Sequence, residues 1–213
     1  MKIEVIEKPD WVSWEQITVL LHAAFAEHAA RGLTYAACNQ TVEHTINRAN
    51  GATCLVALVD GELGGTACIS VCNKILRGKV KCHFTQHGIH PRFKGRGVGR
   101  AILLKASEIA KAAHAEAIYA DTAAKADGVI AFHLKCGFQI VGLKSHATTN
   151  YYSVCFRKPI CGRCYGEVER KFRYYLSYMI CKLCFKENGD FTFIGGLARK
   201  IKRTIKKYIL RNA

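Results

Sequence analysis

Hydrophobic and polar positions along the chain follow two periods, one typical of helices and the other of strands. After the capping-box pair Ser13 and Gln16, apolar residues recur at helical spacing, which predicts a helix to about Ala30. Asp60 and Gly61 separate two strand-like runs, and this dipeptide predicts a hairpin. The predicted strands lie at 3–5, 53–59, 63–71, 79–89, 117–122, 138–144 and 151–157, and the other predicted helices at 41–48, 101–114 and 128–136.

The order of these elements predicts an α/β domain in which helices flank a mixed central sheet. Half of the 213 residues are apolar, which suffices for a sizeable core and argues against extensive disorder. No apolar run reaches the ~18 residues that span a bilayer, and the first residues lack a signal-peptide pattern, so we expect a cytoplasmic protein. Pro159 marks the predicted end of the domain. We therefore expect three parts: an α/β domain at 1–158, a four-cysteine module at 159–194 and a basic tail at 195–213.

A glycine-rich segment at 90–100, here called the glycine loop, carries the most specific signal. Glycines at 95, 97 and 99 follow a strand and a proline and precede a helix. Such a loop can turn its backbone N–H groups toward an anion, and the positive end of the helix dipole points to the same place. Arg92, Lys94, Arg96 and Arg100 add positive charge. The pattern predicts a pyrophosphate site, although the GxxxxGK[ST] motif of P-loop proteins is absent and a dinucleotide-binding unit fits poorly.

Three segments together resemble the GNAT N-acetyltransferase superfamily: 88–103, the strand 118–122 and 131–142. The family signature is Gln/Arg-x-x-Gly-x-Gly/Ala, which residues 94–99 match except that the first position is Lys94. Lysine keeps the positive charge but loses the two-pronged geometry of arginine. The resemblance covers roughly 1–158 and implies a GNAT-like acetyltransferase domain with acetyl-CoA as the donor.

The resemblance also implies which residues hold acetyl-CoA. The end of the strand before the glycine loop would bind the pantetheine arm and the thioester carbonyl through main-chain groups. The glycine loop would bind the pyrophosphate through backbone amides. The residues so implied are His87, Gly88, Ile89, Lys94, Gly95, Arg96, Gly97, Val98, Gly99 and Arg100.

For catalysis, the resemblance points to two candidates. Many relatives have a tyrosine as general acid at the position of His133, and some have a base carboxylate at the position of Asp121. His83 and His87 are rival bases on the preceding strand. An asparagine that often contacts the cofactor is replaced by Ala126. Catalysis by positioning alone is the remaining alternative, since direct transfer needs no covalent enzyme intermediate.

Two CxxC pairs, separated by sixteen residues, follow the α/β domain. Four thiolates at such spacing form the closed tetrahedral shell of a structural Zn²⁺ site. The intervening segment is rich in aromatic residues and resembles a strand, which predicts a hairpin between the pairs, as in a zinc ribbon. The predicted ligands are Cys161, Cys164, Cys181 and Cys184.

The net charge of +16 is concentrated toward the C-terminus, where 160–213 hold thirteen Lys or Arg and four Asp or Glu. Apolar residues at 197, 201, 205 and 209 lie one turn apart among cations, which predicts a basic amphipathic helix at 197–210. Three partners of this helix stay open. It could contact the inner face of an anionic membrane, or pack on the protein itself or on another subunit. Nucleic acid is the less favoured partner.

Three functions fit these features. The leading one is an acetyl-CoA-dependent N-acetyltransferase in which the primary amine of a small molecule, such as an amino-sugar nucleotide, attacks the thioester directly. The second is an acetyltransferase for a tRNA or protein amine that the zinc module and basic tail would hold. The third is a non-catalytic, regulatory module that binds acyl-CoA. The acceptor and the oligomeric state are not determined by the sequence.

Overall fold

The computed structural model describes residues 1–72, 79–146, 149–186, 190–192, 194–197 and 199. In the described residues it contains seven strands and five α-helices of eight or more residues. The strands are β1 (Ile3–Glu7), β2 (Thr53–Val59), β3 (Glu62–Cys72), β4 (Lys81–Ile89), β5 (Ala117–Ala123), β6 (Gln139–Ser145) and β7 (Tyr152–Pro159). The helices are α1 (Trp14–Ala30), α2 (Val42–Ala49), α3 (Val98–Ala112), α4 (Asp127–Lys135) and α5 (Glu167–Cys184). The predicted helix at 197–210 falls almost entirely outside the described residues.

Two local predictions are confirmed by hydrogen bonds and backbone angles. The backbone N–H of Gln16 donates to the Ser13 hydroxyl at 3.2 Å, and the Ser13 N–H donates to the Gln16 side chain at 2.8 Å. This reciprocal capping box begins α1. Between β2 and β3, Asp60 and Gly61 both have positive φ angles, +50° and +90°. Such angles match the right-handed twist of the flanking strands in a two-residue hairpin.

All seven strands form one mixed sheet in the order β1-β2-β3-β4-β5-β7-β6. Every neighbouring pair is antiparallel except β4 and β5, which run parallel. That parallel pair is short, because only Lys81, Cys82 and His83 of β4 face partners on β5. The remaining halves of both strands are unpaired with each other, so the sheet opens into a wedge at their C-terminal ends.

A bulge in β4 accompanies this opening. Between two neighbouring pairs of the β3–β4 ladder, β4 holds one more residue than β3. The bulge contains Gln86, a buried residue with a φ of +50°, where a side chain other than glycine is rare. A bulge bends its strand and increases the twist. It therefore directs the end of β4 away from β5.

Helices cover both faces of the sheet, as the α/β prediction requires. On one face, α3 contributes Ile102 and Ala106 to the main core cluster, together with Leu55 and Phe156 from the sheet. On the other face, α1 and α2 pack over alternating residues of the same strands, including Val56. The odd and even positions of β2 thus enter different clusters, as the two-residue period of a buried strand demands.

The predicted hairpin after Pro159 is wrong, because the chain forms the 18-residue helix α5 instead. This helix lies along the edge strand β6, where the Ser177 hydroxyl accepts the backbone N–H of Leu143 at 2.7 Å. The Gln139 side chain also bonds both ways to the backbone of Tyr165. The helix thereby covers an edge that would otherwise expose unpaired backbone groups. Within the described residues, no helix is long and apolar enough to cross a membrane.

Candidate active site

A cleft of about 1160 Å³ occupies the wedge between β4 and β5. One half is bordered by the C-terminal end of β4, the glycine loop and the start of α3. The other half is bordered by α1, α2, the end of β5 and residues of 144–153. The cleft therefore joins two compartments at the point where β4 bends away from its neighbour.

The glycine loop adopts the geometry that its sequence predicts. Gly95 and Gly97 have φ angles of +75° and +86°, in the left-handed region that favours glycine. Gly97 is the N-cap of α3 and provides no side chain to satisfy the first N–H groups, and the first turn contains no acidic residue. These N–H groups and the positive helix end are thus available to an anion. The predicted acetyl-CoA residues all border the cleft except Arg96.

Lys94, the residue that departs from the family signature, forms an ion pair with Glu27 of α1 at 2.8 Å. The Lys94 ammonium, through this hydrogen bond, lowers the pKa of Glu27. Part of the positive charge of the loop is therefore already compensated within the protein. The prediction of a phosphate site therefore depends on the backbone amides more than on this lysine.

The structure brings His87, Asp121 and His133 to the walls of the same cleft. His87 lies between the rings of Phe84 and Phe132, and its Nε2 atom is buried without a hydrogen-bond partner among the described residues. Burial lowers the pKa of His87 to about 3, and repulsion from His133 acts in the same direction. A neutral imidazole with this pKa is a poor proton acceptor at neutral pH, which disfavours His87 as the general base.

Asp121 is bound to two basic side chains. Its carboxylate lies 2.7 Å from the ammonium of Lys144 and 3.3 Å from Nε2 of His146. Burial by itself would raise the pKa of Asp121, but the His146 hydrogen bond and the Lys144 charge lower it to about 2. A carboxylate held so strongly in its charged form accepts a proton poorly. The geometry makes Asp121 an anchor for Lys144 and His146 more than a base.

His133 is buried in α4, and its ring stacks on Phe156 with centroids 4.7 Å apart. Its Nδ1 atom lies 2.8 Å from the carbonyl oxygen of Val129. A carbonyl can only accept a hydrogen bond, so Nδ1 carries the hydrogen and Nε2 carries the lone pair. Burial lowers the pKa of His133 below the usual histidine value. The lowered pKa makes the ring a weaker base but keeps it neutral at pH 7, so the Nε2 lone pair is free to accept a proton, whereas the resemblance implied a general acid at this position.

Sequence reasoning missed a group of aromatic and polar residues in the second half of the cleft. The Tyr35 hydroxyl accepts the backbone N–H of Ala123 at 2.9 Å and bonds the Thr122 hydroxyl at 2.8 Å. Tyr151 packs against the Tyr35 ring, with centroids 5.0 Å apart. Thr122 and Tyr151 lie 87 and 116 positions after Tyr35 along the chain, and no motif connects them. They line the compartment opposite the glycine loop.

The predicted zinc ligands do not converge. The backbone of Cys161 bonds Ala115, just before β5, whereas Phe185, next to Cys184, accepts a hydrogen bond from Tyr152 at the start of β7. These points lie at opposite ends of the sheet. Helix α5 separates the pairs by roughly 22 Å between Gly166 and Cys181, at 1.5 Å per residue.

The thiol environments agree with this separation. Cys161 and Cys164 are exposed, Cys181 is buried, and burial raises the Cys181 pKa, which disfavours the thiolate that zinc requires. No group of three or more metal-binding side chains occurs in the part of the chain that the structure describes. The residues present do not fit a tetrahedral zinc site, and the prediction of a zinc ribbon is not supported.

Comparison with known proteins assigns the fold and the family. Residues 14–138, more than half of the chain, match the Acetyltransferase (GNAT) family. Among curated proteins, none matches the chain.

Solved structures are similar in fold at low sequence identity. The ribosomal-protein-S18-alanine N-acetyltransferase from Escherichia coli is 12% identical, with a TM-score of 0.55, and the match covers 78% of this chain and 97% of that one. A GNAT-family acetyltransferase from Streptococcus agalactiae 2603 is 17% identical, with a TM-score of 0.58 and coverage of 74% and 95%. A GNAT-family acetyltransferase from Staphylococcus aureus Mu50 is 13% identical, with a TM-score of 0.58 and coverage of 75% and 99%.

Proposed function

Because this chain belongs to the GNAT acetyltransferase family and is an N-acetyltransferase that uses acetyl-CoA, we propose that its acceptor is the primary amine of a small molecule. An amino-sugar nucleotide is one acceptor of this class. The observation that carries the proposal is the two-compartment cleft. The glycine loop borders the first compartment, and side chains from α1, α2 and 149–151 line the second.

Side chains that line the second compartment are largely buried, including Thr122 and Tyr151, and this depth favours a small acceptor over a macromolecule. Tyr35, Thr122 and Tyr151 form a wall in which the hydroxyl of Tyr35 is already hydrogen-bonded to the end of β5. The sequence linked a tRNA or protein acceptor to a zinc module and the basic tail, which would hold it. The four cysteines do not assemble such a module, which removes one argument for a macromolecular acceptor. Contact of the basic tail with a membrane or with nucleic acid, and a cytoplasmic location, remain predictions.

In the proposed reaction, the neutral amine attacks the thioester carbonyl, the new C–N bond forms and the C–S bond breaks. The attacking nitrogen loses one proton, which Nε2 of neutral His133 can accept directly or through water. The leaving thiolate takes up one proton, so the transfer is balanced. The N–H groups at the start of α3 and the end of β4 would hold the donor in place, and such positioning lowers the barrier by several kcal/mol.

Turnover of acetyl-CoA with a panel of small amines tests this proposal. We expect Gly97→Glu and Gly99→Glu to abolish turnover, because each adds bulk and negative charge at the predicted pyrophosphate site. A glutamate at Gly97 is also strained by the φ of +86°. Gly166→Glu is the matched control, since its φ is −64° and a Cβ there meets nothing within 4 Å.

Full activity in both loop variants would overturn the assignment of the donor site. Turnover with a peptide or RNA amine, and with no small amine, would favour the macromolecular alternative. Binding of acetyl-CoA without turnover of any amine would favour the regulatory alternative.

A further inference from the structure

The cations that border the acceptor half of the cleft differ in how they are compensated. Lys144 is paired with Asp121 at 2.7 Å, and Lys94, at the boundary, is paired with Glu27 at 2.8 Å. Arg48, in the last turn of α2, also borders the cleft, but it forms no ion pair with any carboxylate of the described residues. Its guanidinium group thus offers an uncompensated positive charge to the compartment that would receive the acceptor.

Arg48 is nevertheless held in place. Its Nη1 atom donates a hydrogen bond to the side-chain oxygen of Gln40, a residue that is only 4% exposed. The backbone carbonyl of Gln40 is bonded in turn by the His22 ring at 2.9 Å. A side chain that only served solubility would have no need of such a support, because exposed arginines are satisfied by water.

The orientation of the Gln40 amide follows from its other partners. Its Nε2 atom donates to the Thr45 hydroxyl at 2.8 Å and to the side-chain oxygen of Gln86 at 3.0 Å. Gln86 directs its own nitrogen to the carbonyl oxygen of Thr45, so its oxygen must be the acceptor. These contacts leave only the Gln40 oxygen for Arg48. The buried network therefore determines where the guanidinium points.

The same hydrogen-bond network reaches the end of β4, where the thioester of acetyl-CoA would react. Gln86 lies in the bulge of β4 and directly precedes His87 and Gly88, which the resemblance assigns to the thioester. Arg48 is thus connected through two glutamine side chains to the predicted reaction centre. One acceptor molecule could present its amine to the thioester and a second group to Arg48.

We propose that Arg48 binds a carboxylate or phosphate group of the acceptor, so that the enzyme selects small amines that carry an anionic group. A guanidinium has five N–H donors in a planar fork that matches both oxyanions, and Gln40 engages only one of its nitrogens. Arg48 borders the cleft, and its other terminal nitrogen bonds no group of the described residues. Arg31 borders the same compartment and adds to the attraction of an anion. This inference rests on the proposed function.

Matched acceptor pairs test the proposal: amino acids against their amides, and glucosamine 6-phosphate against glucosamine. The wild-type enzyme should prefer the anionic member of at least one pair in kcat/KM. The variant Arg48→Gln should reduce that preference by about 10- to 100-fold, as expected for the loss of a charged hydrogen-bonded contact. Arg48→Lys should restore part of it. Lys111→Gln, which removes a cation that does not border the cleft, should leave the preference unchanged.

Calorimetric titration of the same amines into the CoA-loaded protein provides a readout that is independent of turnover. Arg48-dependent binding of the anionic member without turnover would refute the proposed function and retain the anion site. Turnover with no preference for either member, or a preference that Arg48→Gln leaves intact, would refute the anion site and retain the function. The pair that responds distinguishes a carboxylate from a phosphate. Absence of binding for every anionic amine would overturn the inference.

Discussion

Asp121→Asn separates two roles that the sequence leaves open for this residue. The substitution keeps the size of the side chain and removes the charge that faces Lys144 at 2.7 Å and His146 at 3.3 Å. A general base should be indispensable for turnover, whereas an anchor should mainly affect stability and the placement of its partners. The strong interaction with both partners predicts the second result.

The magnitude follows from the pKa of Asp121, which the protein lowers from 3.8 to about 2. Each pKa unit corresponds to about 1.4 kcal/mol, so the charged carboxylate contributes about 2.5 kcal/mol before solvent screening and about 1 to 2 kcal/mol after it. Because the folded pKa is depressed, this contribution is fully present above the unfolded value of about 4. It is lost as the pH falls through about 2.

Urea unfolding of wild type and Asp121→Asn at pH 7 and near pH 2.5 checks this value. We expect the difference in unfolding free energy to be about 1 to 2 kcal/mol at pH 7 and to shrink at the lower pH. In steady-state assays, kcat should fall by less than about 10-fold, compared with the 10²- to 10⁴-fold expected for loss of a general base. Asp10→Asn, at an exposed position before α1, is the control. A larger loss of kcat at unchanged stability would refute the reasoning.

Three further predictions concern the neighbouring features. His133→Phe should lower kcat by about 10²- to 10⁴-fold, as expected for the loss of a general base. In the wild type, kcat/KM should decrease toward acid pH with a midpoint below 6.5, because burial lowers the His133 pKa from that value. An acid midpoint above pH 6.5, or one that persists in the variant, would contradict this role. Phe156→Ala should reduce the urea unfolding free energy by about 3 to 5 kcal/mol, since Phe156 is fully buried, and Phe156→Leu by less; equal, small losses would argue against the packing described. Elemental analysis of the purified protein should find well under about one zinc per chain, and a chelator should shift Tm by less than about 1 °C. Stoichiometric zinc would contradict the separation of the cysteines.

The sequence was most informative where structure depends on near neighbours. The capping box at Ser13 and the Asp60-Gly61 turn each depend on a few adjacent residues, and each was predicted. The aromatic segment before Cys181 was mispredicted as a strand, because its composition favours strands although it forms a helix against β6. Cysteine spacing was equally misleading, since two CxxC pairs bind one ion only if the chain between them folds back.

The environment of each group in the cleft depends on the folded chain. The family resemblance pointed to a histidine and an acid near the donor site, but their proton affinities depend on burial and on partners that are distant in the chain. Lys144 lies 23 residues from Asp121, and Gln86 lies 46 residues from Gln40. Such pairs form only when the sheet brings together strands and helices that are separate in sequence. Solvation and Coulomb interactions act through space, so the chemistry of this site depends on contacts that no local pattern contains.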